Sequence, residues 1–184
     1  MIPRMTELNA THPKLTLVIG GAASGKSVFA EGLVQQSGLN KIYLATAQAH
    51  DGEMAAKIAR HQQQRGTGWH TIEAPLDLTA PLNSTSAADM VLLDCATLWL
   101  TNHLLAESDL PAAQQALLDA LQNCAGAVVV VSNDVGAGIV PQNALSRRFR
   151  QAQGELNQAL AARADLVVHV IAGLPMLLKG DLPK

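Results

Sequence analysis

Eight consecutive residues near the start of the chain have a spacing that suits phosphate binding. They are Gly20, Gly21, Ala22, Ala23, Ser24, Gly25, Lys26 and Ser27, and they fit the pattern G-x-x-x-x-G-K-S. Glycines in such a loop let main-chain N–H groups point inward at phosphate oxygens, and the following helix adds its positive end. The pattern assigns Lys26 to the β- and γ-phosphates and the Ser27 hydroxyl to Mg²⁺. A chance glycine-rich turn is disfavoured because the motif follows an apolar run and precedes a helical one.

An acidic residue ends an apolar run in the middle of the chain. A phosphate loop needs such a residue at the end of a neighbouring strand to hold the metal, and Asp94 directly follows the run 91–93. The alternative is that Asp94 caps a turn or a helix. The N-K-x-D motif with which common GTPases read guanine is absent. A switch GTPase is therefore disfavoured, and the motifs alone leave the base preference open.

The composition of the 184 residues excludes several classes of protein. Apolar residues make up 48% and charged residues 15%, which is enough to bury a core and argues against disorder. Aromatic residues are only 3%, too few for a surface that stacks single-stranded bases. The net charge of −2 lacks the excess of cations with which proteins bind duplexes. No nucleic acid partner is expected.

Cysteine usage and hydropathy point to a cytoplasmic protein. Cys95 and Cys124 lie in apolar surroundings without metal-ligand spacing, so we expect buried free thiols in a reducing compartment. No signal peptide is visible. No apolar stretch reaches the roughly 18–20 residues that a membrane helix needs, so no integral membrane segment is expected.

We predict a flexible N-terminal extension over residues 1–13 and a single P-loop nucleotide-binding catalytic domain over residues 14–184. Short apolar runs predict strands, and 3.6-residue periodicity predicts helices. The predicted strands are Leu15–Ile19, Ile42–Thr46, Met90–Leu93, Ala127–Val131 and Leu166–Ile171. The predicted helices are Lys26–Gln36, Gly52–Gln64, 111–123 and a stripe formed by Leu145, Phe149, Ala152, Leu156 and Leu160.

The alternation of apolar strands with helices predicts the fold class. It is an α/β, P-loop NTPase-like fold, with a mostly parallel sheet and helices on both faces. Ligands then bind at the carboxyl ends of the strands. Gly66–Ser86 is predicted to be irregular because it contains Pro75 and Pro81, and it could cover the site.

Polar residues follow the strands at this edge. Thr46, Ala47 and Gln48 come at the end of the second predicted strand, and Asn133 and Asp134 follow the fourth. For Asn133 and Asp134, a plain turn is the alternative to a role in the site. Three arginines at positions 147, 148 and 150 cannot all share one helix face. Some are expected in ion pairs on a solvated face, and one could bind a substrate phosphate.

The ordered combination of motifs resembles one family, the bifunctional adenosylcobinamide kinase / adenosylcobinamide-phosphate guanylyltransferases of cobalamin biosynthesis. The resemblance runs from about Leu15 to Lys179. The matching stretches are GGAASGKS at 20–27, E-M-x-x-[RK]-I-x-x-H at 53–61, Arg65 with Trp69, DCATLWLTN at 94–102, NDVGAGIVP at 133–141, and RRFR with G-x-x-N-Q at 147–158.

The resemblance implies two reactions in one enzyme. A nucleoside triphosphate, GTP with ATP possible, gives its γ-phosphate to the hydroxyl of the aminopropanol arm of adenosylcobinamide. GTP then gives GMP to adenosylcobinamide phosphate, which yields adenosylcobinamide-GDP and pyrophosphate. Mg²⁺ is expected at Ser27 and Asp94 from the phosphate-loop pattern itself. A homo-oligomer, plausibly a trimer with sites between subunits, is also implied.

The resemblance also assigns roles to individual residues. His61 matches the histidine that carries GMP. Besides the phosphate loop, the residues implied in GTP contact are Thr46, Ala47, Gln48, Gln62, Gln63, Gln64, Arg65, Glu73 and Asp94.

His61 also has a structural interpretation, which the residues alone do not exclude. It lies seven residues after Met54 and three after Ile58, so it could be a half-buried, hydrogen-bonded histidine near a helix end. As a nucleophile it makes chemical sense, because neutral imidazole attacks well near pH 7. His50 is the alternative candidate for the nucleophile in this part of the chain.

Four positions depart from the usual family pattern. Asp134 stands where glutamate is expected, Lys57 where arginine is usual, Gln151 where aspartate is usual, and Gly66 where proline is common. Lysine at 57 would lose any bidentate phosphate contact. These changes bear on substrate handling more than on the class of enzyme.

Two other classes of function remain alternatives. An ordinary small-molecule P-loop kinase would release ADP and a phosphorylated product but carry no covalent nucleotide. A P-loop binding or regulatory module would hold nucleotide without dependence on an acceptor.

Overall fold

The computed structural model describes residues 12–48 and 65–183. The strands are β1 Leu15–Gly20, β2 Asn40–Ala45, β3 Trp69–Glu73, β4 Asp89–Asp94, β5 Ala127–Asn133, β6 Leu166–Ile171 and β7 Leu174–Lys179. The helices are α1 Lys26–Gln36, α2 Thr79–Asn83, α3 Ala96–Leu105, α4 Leu110–Asn123 and α5 Ala144–Arg163.

The described strands form one seven-stranded sheet in the order β3-β2-β4-β5-β1-β6-β7. All neighbouring pairs are parallel except β6 and β7, which form an antiparallel hairpin. β1 and β4 are separated by β5. The fold class predicted from the sequence, a mostly parallel sheet with helices, is confirmed.

Two apolar clusters cover the two faces of the sheet. One face packs on α1, with Ala30 and Val34 of the helix meeting Val18, Leu92 and Val131 of the strands. The other face packs on α3, α4 and α5, around the fully buried side chains of Trp99, Leu117 and Leu156. Since both faces are covered, the central strands are apolar runs without alternation.

The five predicted strands are confirmed, but the interpretation of Gly66–Ser86 as irregular is wrong. That segment contains β3 and α2. β3 is an edge strand of five residues with exposed polar side chains at His70, Thr71 and Glu73, so it lacks the apolar run of a central strand.

Two further elements were missed by sequence reasoning. α3 begins two residues after Asp94, and its N-cap is Cys95, a residue type that is not among the usual caps. β7 is exposed along its whole length, so neither alternation nor burial marks it as a strand.

Some predictions fall outside the described residues. These are the helix Gly52–Gln64 and most of the N-terminal extension, since residues 1–11 and 49–64 are not described. The division into extension and domain therefore stays a prediction. None of the helices within 12–48 and 65–183 has the length and apolar character to span a bilayer.

Both cysteines are buried free thiols, as predicted. Burial and the neighbouring Asp94 carboxylate raise the pKa of the Cys95 thiol to about 11. Cys124 lies against Thr85, whose Oγ1 is 3.0 Å from the sulfur. The same hydroxyl donates to the Leu82 carbonyl at 2.8 Å and accepts from the Gly126 N–H at 3.2 Å. Thr85 thus joins α2 to the start of β5.

Thr85→Val should lower the free energy of unfolding by about 1–3 kcal/mol, because it leaves the buried Gly126 N–H without its acceptor. Urea unfolding measures this change. Thr71→Val is the matched control, since Thr71 is exposed on β3 and should change stability by less than about 0.5 kcal/mol. Equal effects of the two substitutions would contradict this account of Thr85.

Candidate functional site

The phosphate loop connects β1 directly to α1. Gly25, the residue before the helix, has a φ of 91°, in the left-handed region. The Ser24 N–H donates to the Gly21 carbonyl at 3.3 Å and the Phe29 N–H to the Gly25 carbonyl at 3.0 Å. Lys26 Nζ donates to the Gly21 carbonyl at 3.2 Å, so the ammonium lies over the loop. The arrangement presents main-chain N–H groups and one cation to an anion.

The turn between β6 and β7 supports the loop from one side. The Gly173 N–H donates to the Ser24 carbonyl at 2.8 Å. A Cβ at Gly20 would lie 2.4 Å from Ser24 Oγ and 2.7 Å from the Val170 carbonyl oxygen. A Cβ at Gly25 would lie 3.1 Å from Gly173 Cα. Gly20 and Gly25 are therefore required by this packing.

Asp94 ends β4 on the face of the sheet that packs on α1. Leu92, two residues before it, belongs to the cluster around α1, and side chains alternate along a strand. The Tyr43 hydroxyl donates to Asp94 Oδ2 at 3.2 Å. Burial and the Asp94 carboxylate raise the pKa of Tyr43 well above its usual range, so the hydroxyl stays a donor. Tyr43 therefore fixes the orientation of the carboxylate.

Thr46 connects the end of β2 to the junction of β4 and α3. Its Oγ1 donates to the Cys95 carbonyl and accepts from the Cys95 N–H, both at 2.8 Å. Its carbonyl accepts from Asn102 Nδ2 at 2.8 Å, and the residue is fully buried. Of the three residues expected to contact nucleotide here, Gln48 is exposed and Ala47 is half-buried.

Arg65, the first described residue after the gap, is anchored against β2 and α1. Its guanidinium carbon lies 3.3 Å from the centroid of the Tyr43 ring, a cation–π arrangement. Its carbonyl accepts from Trp69 Nε1 at 3.2 Å and from Gln35 Nε2 at 3.4 Å. Burial raises the pKa of the nearby Glu31, and the charge of Arg65 opposes that shift.

The register places several strand ends side by side. Ala45 pairs with Glu73 on one side and with Asp94 on the other. The last residues of β3 and β4, Glu73 and Asp94, are therefore aligned at the same edge of the sheet. Glu73 is exposed. Four strand spacings separate β3 from β1, which is about 19 Å at roughly 4.8 Å each.

A buried polar network holds the end of β5. Ser132 Oγ donates to Asn157 Oδ1 at 2.6 Å, and Gln153 Nε2 donates to both of these atoms at 3.0 Å. Asn157 Nδ2 donates to the Asn133 carbonyl at 3.0 Å. Ser132 and Gln153 are fully buried. α5 thus positions the point at which the chain leaves the sheet.

The loop after β5 is stabilised by its own residues. Asp134 Oδ1 accepts from the Gly136 N–H at 2.9 Å, which is the plain turn considered for this position. Arg150 donates to the Gly136 carbonyl and Arg147 to the Gln142 carbonyl. These two arginines bind main-chain carbonyls, and Arg148 is exposed.

The donors at this edge suit a magnesium ion coordinated by a nucleotide. No group of three or more His, Cys, Asp or Glu side chains in 12–48 and 65–183 could hold a metal by itself. One carboxylate, Asp94, and one hydroxyl, Ser27 on the first turn of α1, are hard oxygen ligands. Mg²⁺ takes few protein ligands and completes its shell with phosphates and water. The two residues therefore fit it.

The comparisons with known proteins agree with this geometry. The family model described as cobinamide kinase / cobinamide phosphate guanyltransferase matches residues 16–178. The chain belongs to this family. The bifunctional adenosylcobalamin biosynthesis protein CobP of Pseudomonas aeruginosa is 49% identical over 168 residues, which cover 90% of this chain and 97% of the relative. CobU of Escherichia coli is 39% identical over 181 residues, with 90% and 99% covered.

A solved structure supports the fold alone. An ATPase of the type III secretion system of pathogenic bacteria aligns with a TM-score of 0.53 at 11% identity, and the alignment covers 89% of this chain and 56% of the ATPase chain.

Four of the predicted site residues of this member of the cobinamide kinase / cobinamide phosphate guanyltransferase family lie outside the described residues. They are the candidate nucleophile His61 and its neighbours Gln62, Gln63 and Gln64. Their roles stay predictions.

Two contributors to the site were missed by sequence reasoning. Tyr43 contacts both Asp94 and Arg65, and Gly173 supports the phosphate loop from the hairpin. Gly173 lies in the two-residue turn Ala172-Gly173, where φ is 52° and 79°. In the sequence, the glycine between two apolar runs is the signal that could have indicated this hairpin.

Gly20→Ala should weaken nucleotide binding at least about tenfold, because the added methyl group displaces a loop that must aim its N–H groups. Fluorescence titration with a labelled GDP measures the dissociation constant. Gly154→Ala on α5 is the matched control, since a Cβ there meets nothing within 4 Å. Unchanged affinity in a folded Gly20→Ala variant would contradict the role given to this packing.

Proposed function

We propose that this chain phosphorylates adenosylcobinamide with a nucleoside triphosphate and then transfers GMP from GTP to the phosphate it has made. The observation that carries the proposal is the placement of the phosphate loop and Asp94 on one face of the sheet, at its carboxyl edge. Family membership supports the choice of substrate.

In the kinase step, the substrate hydroxyl oxygen forms a bond to the γ-phosphorus. The bond from that phosphorus to the β–γ bridging oxygen breaks, and the nucleoside diphosphate leaves with the electron pair. The hydroxyl proton is released to solvent. Lys26 binds the β- and γ-phosphates, as its position over the loop allows. Ser27 and Asp94 would hold Mg²⁺, which would supply positive charge to the phosphates.

In the guanylyl step, we propose that a nitrogen of His61 attacks the α-phosphorus of GTP. The bond to the α–β bridging oxygen breaks, pyrophosphate leaves, and the substrate phosphate later displaces the histidine. His61 is four residues before Arg65 in the chain, a span of at most about 14 Å. Arg65 is anchored beside Tyr43, which bonds Asp94. The anchor supports His61 as the nucleophile.

Glu73 is proposed to bind the base end of GTP. Its exposed carboxylate lies on β3, four strands from the phosphate loop on β1. Guanine presents an amino group as a hydrogen-bond donor, and a carboxylate accepts from it. The distance of four strand spacings between Glu73 and the phosphate loop supports a nucleotide that lies along the sheet edge, with its phosphates at the start of α1 and its base near β3.

We also propose that the protein is a cytoplasmic homo-oligomer, with a trimer as the expected assembly. Side chains on the exposed edge strand β7 support an association, with Leu174 72% and Leu178 55% exposed. Such apolar exposure is typical of surfaces that contact another chain.

His61→Asn should keep GTP binding and formation of adenosylcobinamide phosphate, but it should abolish uptake of α-labelled GMP on the protein and formation of adenosylcobinamide-GDP. Asparagine can hydrogen-bond but forms no stable phosphoramidate. Labelled GTP followed by acid and alkaline treatment measures the adduct, which should be labile in acid and stable in alkali.

His50→Asn is the matched control and should label normally. If His61→Asn labels like the parent, the nucleophile is another residue. If the parent never labels yet still makes the GDP product, transfer is direct. If neither label nor GDP product forms while γ-label reaches cobinamide, the chain is a kinase alone.

Asp94→Asn should raise the Mg²⁺ concentration needed for half-maximal turnover at least about tenfold while leaving the fold intact, because the amide keeps the size and loses the charge. Titration of Mn²⁺ into the complex with a non-hydrolysable GTP analogue, followed by electron paramagnetic resonance, measures affinity directly. Asp77→Asn, exposed in the loop before α2, is the control. An unchanged metal affinity would make Asp94 a structural residue.

A further inference from the structure

The strand order brings one more polar residue next to the phosphate loop. β5 lies between β1, which leads into the phosphate loop, and β4, which ends at Asp94. Asn133 pairs with Gly20 in β1, while Asp94 is level with Val131. The end of β5 therefore extends two residues beyond Asp94, between the carboxylate and the loop.

Asn133 belongs to the face of the sheet on which α1 packs. Val129 and Val131 of β5 lie in the same cluster as Ala30 and Val34 of α1. Because side chains alternate along a strand, Asn133 continues this row beyond Val131. The side chains of Val129, Val131 and Asn133 therefore follow one another on this face, and Asn133 is the last of them, level with Gly20 at the start of the loop that leads to α1.

The main chain of Asn133 is held from the opposite face. Its N–H donates to Thr97 Oγ1 at 2.8 Å, and its carbonyl accepts from Asn157 Nδ2 at 3.0 Å. Asn157 in turn belongs to the buried network with Ser132 and Gln153. Two helices, α3 and α5, therefore fix the residue without using its side chain.

The carboxamide of Asn133 has no protein partner among residues 12–48 and 65–183. Its Oδ1 is buried and accepts no hydrogen bond there. A buried acceptor without a donor destabilises a fold, and native structures rarely keep one without a functional reason. A ligand that supplies a donor would satisfy it.

We propose that Asn133 is a catalytic residue of the kinase step. Its Nδ2 donates to an oxygen of the transferred γ-phosphoryl group, and its Oδ1 accepts from the attacking hydroxyl of the substrate. The carboxamide holds the two reactants in line and keeps its own protons throughout. The inference rests on the proposed function, since it assumes that the loop over Gly20–Ser27 holds the triphosphate.

Asn133→Ala should lower kcat of the kinase step about 100-fold, the scale of losing one aligned donor. The dissociation constant for GTP should change less than about threefold, since one phosphate contact among many is removed. The melting temperature should not fall, because no described protein hydrogen bond is lost. Transfer of GMP to adenosylcobinamide phosphate supplied ready-made should continue near the parent rate.

Three further variants make the outcome decisive. Asn123→Ala, at the exposed end of α4 beside the start of β5, is the matched control and should match the parent in both steps. Asn133→Asp keeps the acceptor but adds a negative charge, so it should lose kinase activity and bind GTP less well relative to GMP. Lys26→Ala tests the phosphate site itself.

If Asn133→Ala and Asn133→Asp both keep the kinase rate while Lys26→Ala loses it, the assignment of Asn133 is overturned and the phosphate site stands. If Lys26→Ala also keeps the rate, the proposed site itself is wrong. An equal loss of both reactions in Asn133→Ala, or a fall in melting temperature, would make Asn133 a structural residue and overturn the proposal.

Discussion

The close approach of main-chain atoms around the phosphate loop is the constraint on which the rest of the site depends. N–H groups that a loop aims inward at an anion do not hold the loop together, so neighbouring elements must support it. Here the hairpin turn holds Ser24 through Gly173, and Gly20 leaves room for Ser24 and the Val170 carbonyl. β6 and β7 are therefore part of the phosphate site, although neither carries a motif residue.

A parallel sheet then gathers residues that are far apart in the chain. Gly20, Glu73, Asp94 and Asn133 end four strands at one edge. Hydrogen bonds from other elements fix two of these strand ends. Thr46 bonds Cys95 directly after β4, and Asn157 bonds the Asn133 carbonyl at the end of β5. The edge can therefore present several polar groups while the central strands β1, β4 and β5 stay largely apolar and buried.

The sequence predicted the parts of this arrangement that follow local rules. The phosphate loop, the buried strands and Asp94 were all predicted, because each depends on spacing or on a continuous apolar run. β3 and β7 were missed because edge strands are exposed and lack that run. The contacts of Tyr43 and the unsatisfied carboxamide of Asn133 arise from strand order, which no local pattern encodes.

Two reactions that each consume a nucleoside triphosphate impose different demands on the enzyme. Phosphoryl transfer needs the acceptor near the γ-phosphorus, and guanylyl transfer needs a nucleophile in line with the α-phosphorus. The loop end of the sheet edge carries Lys26 and Asn133, whereas Arg65 is anchored on the other side of Asp94, over β2. Tyr43 contacts Asp94 and Arg65 together. Tyr43 therefore connects Asp94, the proposed metal ligand, to Arg65, which follows the proposed nucleophile His61 by four residues in the chain.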